Sequence, residues 1–162
     1  MPATTDRPAL RRPTDAHAFL AEAERLTNAH DATGAAAIYA ADAVLELVTD
    51  GAHEDHRGAA AIQRAWQVTL GAGARRGFRV RKTLVAADDD VIVNRWEGTI
   101  GRSDRVRGME SWRFDDSGRV VEHHAWTFLD VRPATGLVAR LRLAATAPRT
   151  AVAFLRAERA AA

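Results

Sequence analysis

The chain has 162 residues, 47% hydrophobic and 27% charged, which suits one soluble globular domain with a proper core. It has no cysteine, so disulfides, thiolate metal sites and cysteine nucleophiles are excluded. The net charge of +2 is unevenly spread: residues 132–162 carry six arginines against one acid, Glu158, while residues 1–130 carry 17 basic and 20 acidic residues. A mildly acidic body with a basic, arginine-rich tail is weak ground for nucleic-acid binding, and no nucleic-acid partner is expected. The opening MPATTDRPALRR has no apolar run, so no signal peptide is expected. Nothing is long and apolar enough to span a bilayer, and the cytoplasm is the expected location.

Residues 1–13, with three prolines and scattered charge, read as a disordered segment. Thr14 or Asp15 caps a helix of about 15 residues, with Phe19, Leu20, Ala23 and Leu26 at helical spacing. Asp31 caps a short second helix through Ala40. Residues 43–49 are strand-like, and 51–57 form a turn or short strand. Gly58 precedes a third helix, Ala59 to about Leu70, which carries Ile62, Ala65, Trp66 and Leu70 on one face. Strands follow at about 78–87 and 91–100, joined by Asp88-Asp89-Asp90. Helices followed by a run of antiparallel strands make an α+β fold. After Asp130 the chain becomes alanine- and arginine-rich, and its basic tail (131–162) reads as two short helices broken at Pro148.

The last two strands, within 105–130, carry the chemistry. They meet at the turn Asp115-Asp116-Ser117-Gly118. A four-residue loop pairs Phe114 with Arg119 and sets Glu110 across from His123; a bulge at Gly118 sets Glu110 across from His124. Alternation places Val106, Gly108, Glu110, Trp112 and Phe114 on one face with Val121, His123, Ala125 and Thr127. A lone carboxyl facing an imidazole among apolar neighbours suits proton transfer, or simply ties two strands together. The other face mixes arginines with Glu122, His124, Trp126 and Phe128, an aromatic pair that suits a partner surface.

The patterns AHDATGAAAIYAADAVLE, HRGAAAIQRAW and RFDDSGRVVEHHAWTFLD resemble those of the nuclear transport factor 2-like superfamily, over about residues 14–130. The resemblance implies a cone: a curved antiparallel sheet around three helices, with a pocket inside lined by the Glu110 face. The superfamily includes ketosteroid isomerases, SnoaL-like polyketide cyclases, epoxide hydrolases, dehydratases and proteins without catalysis, so function has to come from the site.

Set against the isomerases, Leu47 stands where their general base would be, and Ala23 where a substrate-facing tyrosine would be. Glu110 holds the place of an oxyanion-hole carboxyl kept protonated by apolar surroundings. Two supporting tyrosines fall at Tyr39 and, as tryptophan, at Trp66. The epoxide-hydrolase carboxylate falls at Ala125. Of the isomerase groups the resemblance keeps Glu110 alone, so classical steroid isomerisation is not expected; the hairpin register adds His123 as its catalytic partner, and the cone that the resemblance implies sets Tyr39, Leu47, Trp66, Trp96, Trp112, Val121 and Ala125 about the ligand.

Which of Asn94, Arg95, Trp96 and Glu97 point inward is left open by the loop before them; Trp96 inward would join Trp66 and Trp112 as an aromatic wall. His53-Glu54-Asp55-His56 has a spacing that permits chelation, but no distant ligand set accompanies it, and no metal is expected. Phosphate-binding and serine-hydrolase motifs are missing, so no cofactor is expected. The expected ligand is a small, largely apolar molecule. The leading reading is an enzyme of the cyclase, isomerase or dehydratase kind; the others are a ligand-binding protein and an interaction module. The outer sheet face (Trp126, Phe128) is the expected homodimer surface. The tail, with Leu137, Leu141, Ala144, Val152 and Leu155 beside arginines, is expected to pack on the body or a second copy, before contact with a membrane surface.

Overall fold

The computed structural model describes residues 15–101, 104–129 and 137–160; the segment 1–13 read as disordered lies outside them. They form two compact units, one within 1–131 and the other within 132–162.

In the first unit Asp15 caps α1 (Ala16–Ala29), its carboxylate accepting from the His17 and Ala18 amides. The helix buries Leu20, Ala23 and Leu26 and ends at His30 in the left-handed conformation. Asp31 caps α2, which covers only Ala32–Ala37. The alanine run favours helix through Ala40, but Tyr39 already begins β1 (Tyr39–Thr49). Tertiary pairing decides this: Tyr39 lies in register with Val120, the Val120 amide donates to the Ile38 carbonyl, and the Tyr39 ring is buried.

Residues Ala52–Arg57 form β2, a strand rather than a turn. Helix α3 runs Ala59–Arg76, beyond the Leu70 expected, and stops at Gly77 with φ 66°. Gly71 and Gly73 inside it do not end it; the bare Gly73 backbone instead admits the Phe78 side chain closely. Strands β3 (Arg79–Ala87), β4 (Val91–Ile100), β5 (Asp104–Phe114) and β6 (Val120–Phe128) complete a curved, unclosed six-stranded sheet ordered β2-β1-β6-β5-β4-β3. All pairings are antiparallel except β1 with β6, which run parallel because a long connection, not a hairpin, joins them. This is the α+β cone fold the sequence implied.

The β5–β6 register differs from both expected alternatives. The Asp115 carboxylate accepts from Ser117 and Arg119, widening the loop so that Phe114 pairs with Val120. A bulge then adds one residue, so that Trp112 faces His123, Ser111 faces His124 and Glu110 faces Ala125. The bulge also buries Val120 completely and leaves Val121 half-buried, the reverse of the simple alternation.

The core packs Leu45, Ile62, Ile92, Trp112, Phe114 and Val120 between helices and sheet, with the Phe19 ring edge-on to Trp112 and Phe114. A smaller cluster joins Val80, Trp96 and Val106. Gly108 is required there: a Cβ would meet the Trp126 carbonyl and the Trp96 ring.

The second unit holds two helices, α4 (Leu137–Thr146) and α5 (Pro148–Ala160). Pro148 opens α5, the one helical position where its missing amide costs little. Among the described residues no helix is long and apolar enough to cross a membrane.

Candidate functional site

A cavity of about 350 Å³ opens between the inner face of the sheet and α3. This lies within the roughly 300–1,000 Å³ typical of small-molecule sites. Trp66, Leu70 and Gly73 line it from α3, Leu47 from β1, Phe78 and Val80 from the approach to and start of β3, Trp96 from β4, and Ala125 from β6. Three charged residues line this largely apolar space: Lys82 and Glu110, whose side chains are buried, and the exposed Arg76 at the end of α3.

Glu110 is inward because β5 alternates cleanly from Val106 to Phe114. Its side chain is 6% exposed and that of Lys82 is 4% exposed. The Lys82 amine donates to Glu110 Oε2. Asn94, fully buried on β4 and in register with Glu110, donates to the same oxygen at 2.8 Å. The Trp112 indole donates to Asn94 Oδ1 at 2.7 Å, which fixes the amide's orientation. The Lys82 amine also lies 5.7 Å from the Trp112 ring centre. The backbone amide of Lys82 is held by Glu24 of α1 at 2.7 Å. Two opposite charges, each with further partners, satisfy the condition for burying an ion pair.

His123 is fully buried but lines neither the cavity nor the recess beside it. Its ring stacks on Trp112, centre to centre 3.5 Å, and lies nearly parallel to Trp66 at 6.1 Å. Burial, reinforced by the positive charges of Lys82 and His124, pushes its pKa well below the usual imidazole value. The imidazole is therefore neutral, not the cation that would pair with Glu110.

Burial raises the Tyr39 phenol well above its usual range, so it keeps its proton. Trp66 Nε1 donates to the Tyr39 oxygen at 3.2 Å, and that hydroxyl lies 2.7 Å from His123 Nδ1. The Tyr39 oxygen accepts from the indole and its hydrogen is free to go to Nδ1, an arrangement that places the imidazole proton on Nε2. Among the described residues that Nε2 has no hydrogen-bond partner, and it stands 3.8 Å from Glu110 Oε1. His123 thus orders the wall behind Glu110, without direct access to a ligand.

The other sequence candidates sort as follows. Leu47, Trp66, Trp96 and Ala125 line the main cavity. Tyr39 and Trp112 line an adjoining recess of about 20 Å³, shared with Lys82 and Glu110. Val121 lines neither and packs against the core instead, because of the bulge. On β4, Asn94 and Trp96 point inward while Arg95 and Glu97 are exposed, and it is Trp66 and Trp96 that wall the cavity.

Sequence reasoning missed Lys82. Two signals were available: it alternates with the buried Val80 between the exposed Arg79 and Arg81, and it is the sole lysine of the chain.

The opposite sheet face carries a separate polar network. His124 bonds Glu46 through Nδ1 and Glu122 through Nε2 at 2.8 Å. Burial lowers its pKa, but the hydrogen bonds and charges of Glu46 and Glu122 outweigh this and hold it above the usual value. Glu122 in turn is held below the usual carboxylate range by Arg113 first and then by His124. Glu46, His53 and Asp55 bring their ligand-type atoms within 4.8 Å of one another. Glu46 is the distant partner that the His53–His56 stretch lacks in sequence; His53 Nε2 lies 3.0 Å from it and 3.4 Å from Asp55, in a half-exposed charge cluster.

Comparison with known proteins agrees with this architecture. The profile of the SnoaL-like domain matches residues 17–123, and the chain belongs to that family, within the nuclear transport factor 2-like superfamily. No curated protein matches it in sequence. Among solved structures it is similar to a steroid delta-isomerase from Pseudomonas aeruginosa: 26% identity over 91% of this chain and 99% of the other, TM-score 0.54. It is also similar to SalBIII, an epoxide hydrolase/cyclase-like enzyme of pyran ring formation in the polyether salinomycin (14% identity, 69% and 89% covered, TM-score 0.55). A third is Rv0760c from Mycobacterium tuberculosis in complex with estradiol-17β-hemisuccinate (22%, 68% and 91%, TM-score 0.53).

Proposed function

We propose that this SnoaL-like protein is a cofactor-independent enzyme of the cyclase, isomerase or dehydratase kind, acting on a largely apolar, polyketide- or steroid-like carbonyl compound. The observation that carries this reading is the Lys82–Glu110–Asn94 cluster projecting into an apolar cavity. Glu110 takes a proton from the carbon beside a carbonyl, and Lys82 donates to the oxygen on which negative charge develops. Asn94 and Trp112 keep the carboxylate aimed, and Trp66 and Trp96 flank the ligand's flat faces. The solved relatives support the substrate class, since one is a steroid isomerase, one is cyclase-like and one holds a steroid ester.

The test is proton exchange on 2-tetralone in D₂O, followed by mass spectrometry. Wild-type protein accelerates deuterium uptake beside the carbonyl, and Glu110→Gln lowers that acceleration by about 100-fold, the lower end for a general base. Because the variant leaves the buried Lys82 amine without its carboxylate, its melting temperature falls, and the comparison is made at a temperature where circular dichroism shows both proteins folded. Equal exchange by wild type and variant would remove Glu110 from the chemistry.

A non-catalytic ligand-binding role is the second reading. It is favoured by one observation: Glu110 is the only acid lining the cavity among the described residues, and Lys82 already occupies it. In that case 2-tetralone quenches tryptophan fluorescence while deuterium uptake stays at the uncatalysed rate. We further propose that Met109, Trp126 and Phe128, all exposed on the outer sheet face, form a homodimer contact. Analytical ultracentrifugation of Trp126→Ala, expected to shift toward monomer, checks this.

A further inference from the structure

The charge chemistry of this chain is lopsided. It has 22 arginines and a single lysine, and that lysine is Lys82. Wherever a fixed positive charge is called for, as at Arg113 against Glu122 or Arg25 against Glu22, the chain uses a guanidinium. At the one basic position that is buried and faces the cavity, it uses an amine. The two differ in one decisive respect: a guanidinium stays protonated in proteins, whereas an ammonium can release its proton and become a nucleophile.

The structure also supplies what such a nucleophile requires. Glu110, in contact with the amine, is a proton acceptor already in place. Asn94 holds the carboxylate by the same oxygen, and the Glu24 carboxylate on the Lys82 amide holds the strand. Trp66, Trp96 and Leu70 give the cavity apolar walls that accept a hydrocarbon body and exclude water.

We propose that Lys82 forms an imine with the carbonyl group of the ligand in this cavity. The inference rests on the reading above that the cavity takes an apolar carbonyl compound, and it deepens that reading by making the intermediate covalent.

The ammonium gives one proton to Glu110, and the free amine attacks the carbonyl carbon, forming the C–N bond. The carbonyl oxygen takes a proton from the Glu110 acid. The new nitrogen centre returns a proton to Glu110, which passes it to the carbinol oxygen. That oxygen leaves as water. The balance is one ammonium and one carbonyl giving one protonated imine and one water, with Glu110 again a carboxylate. The iminium then draws electrons from the neighbouring carbon, whose proton goes to Glu110, giving an enamine. This is the same proton abstraction as in the reading above, made easier by a full positive charge on nitrogen.

The experiment is reductive trapping. Protein is incubated with 4-phenylbutan-2-one and cyanoborohydride near neutral pH, and the intact mass is measured. The expected result is a single adduct with the mass of the probe less one oxygen atom, mapped by peptide sequencing to Lys82. With only one lysine, the chain's other primary amine is the N-terminus, which gives an internal reference. Folded protein labels Lys82 at least about tenfold faster than protein unfolded in urea, as expected of an activated amine. Lys82→Arg keeps the charge and loses the adduct. Because wild-type mapping and the urea comparison do not depend on the variant, the proposal stays testable if Lys82→Arg folds poorly.

Labelling of the N-terminus alone, or equal rates in folded and unfolded protein, overturns the imine. If the probe also quenches tryptophan fluorescence, the acid–base reading stands and only the covalent step falls. If nothing binds, both fall.

Discussion

Two consecutive histidines sit on opposite faces of β6 and behave oppositely. His123 points into the domain, where burial and the charges of Lys82 and His124 keep it neutral. His124 points outward, where Glu46 and Glu122 hold it protonated to higher pH. The residue type is the same and the positions are adjacent; the sheet alone separates them. The inner face builds order from neutral hydrogen bonds, Trp66 to Tyr39 to His123, behind a single ion pair. The outer face builds a charge network open to solvent, Arg113–Glu122–His124–Glu46–His53. A charge on the inner face is therefore costly to strand, and one on the outer face is cheap.

The largest effect tests the inner face. Lys82→Ala leaves the Glu110 carboxylate buried without its partner and lowers stability by about 3–5 kcal/mol in urea titration. The double change Lys82→Met with Glu110→Gln recovers most of that loss, since neither charge remains. A double variant as unstable as the single one would mean that the amine acts by packing.

An intermediate effect comes from His123→Phe, which keeps an aromatic ring against Trp112 but removes the acceptor for Tyr39, at about 1–3 kcal/mol. Its pH signature has a definite sign. A histidine whose folded pKa is depressed contributes stability that is complete above its unfolded pKa, about 6.5, and eroded as pH falls below it. The wild-type urea midpoint should therefore carry an acid-side loss that His123→Phe lessens.

The smallest effect is on the outer face. His124 is raised, so its contribution is complete below about pH 6.5 and lost as pH rises through its folded value. His124→Gln should cost under about 1 kcal/mol near pH 5.5, because solvent screens a partly exposed network, and should flatten the alkaline side. If both variants change the same limb of the pH profile, the contrast between the two faces is wrong.

Much of this was legible along the chain, for identifiable reasons. Caps at Asp15 and Asp31, the β4–β5–β6 run and the inward set Val106–Phe114 all follow local rules of capping and alternation. Glu110 and the lining residues Leu47, Trp66, Trp96 and Ala125 were reached in the same way or through the family resemblance. Three features were not legible. The end of α2 was set by the pairing of Tyr39 with Val120, contacts far apart in sequence. The Glu110 register depended on a loop one residue wider and on one bulge residue, which together moved His123 from opposite Glu110 to opposite Trp112. The partner of Glu110 is Lys82, on a strand that pairs with β4 and not with β5.

Sequence by itself determined the elements, the inward face of β5 and the presence of one buried acid, because periodicity and capping are local and need no partner. Only the tertiary structure decided which group that acid meets. Sheet order carries Lys82 to the carboxylate across β4, and the widened β5–β6 loop with its bulge turns His123 into a neutral support; neither follows from the alternation within one strand.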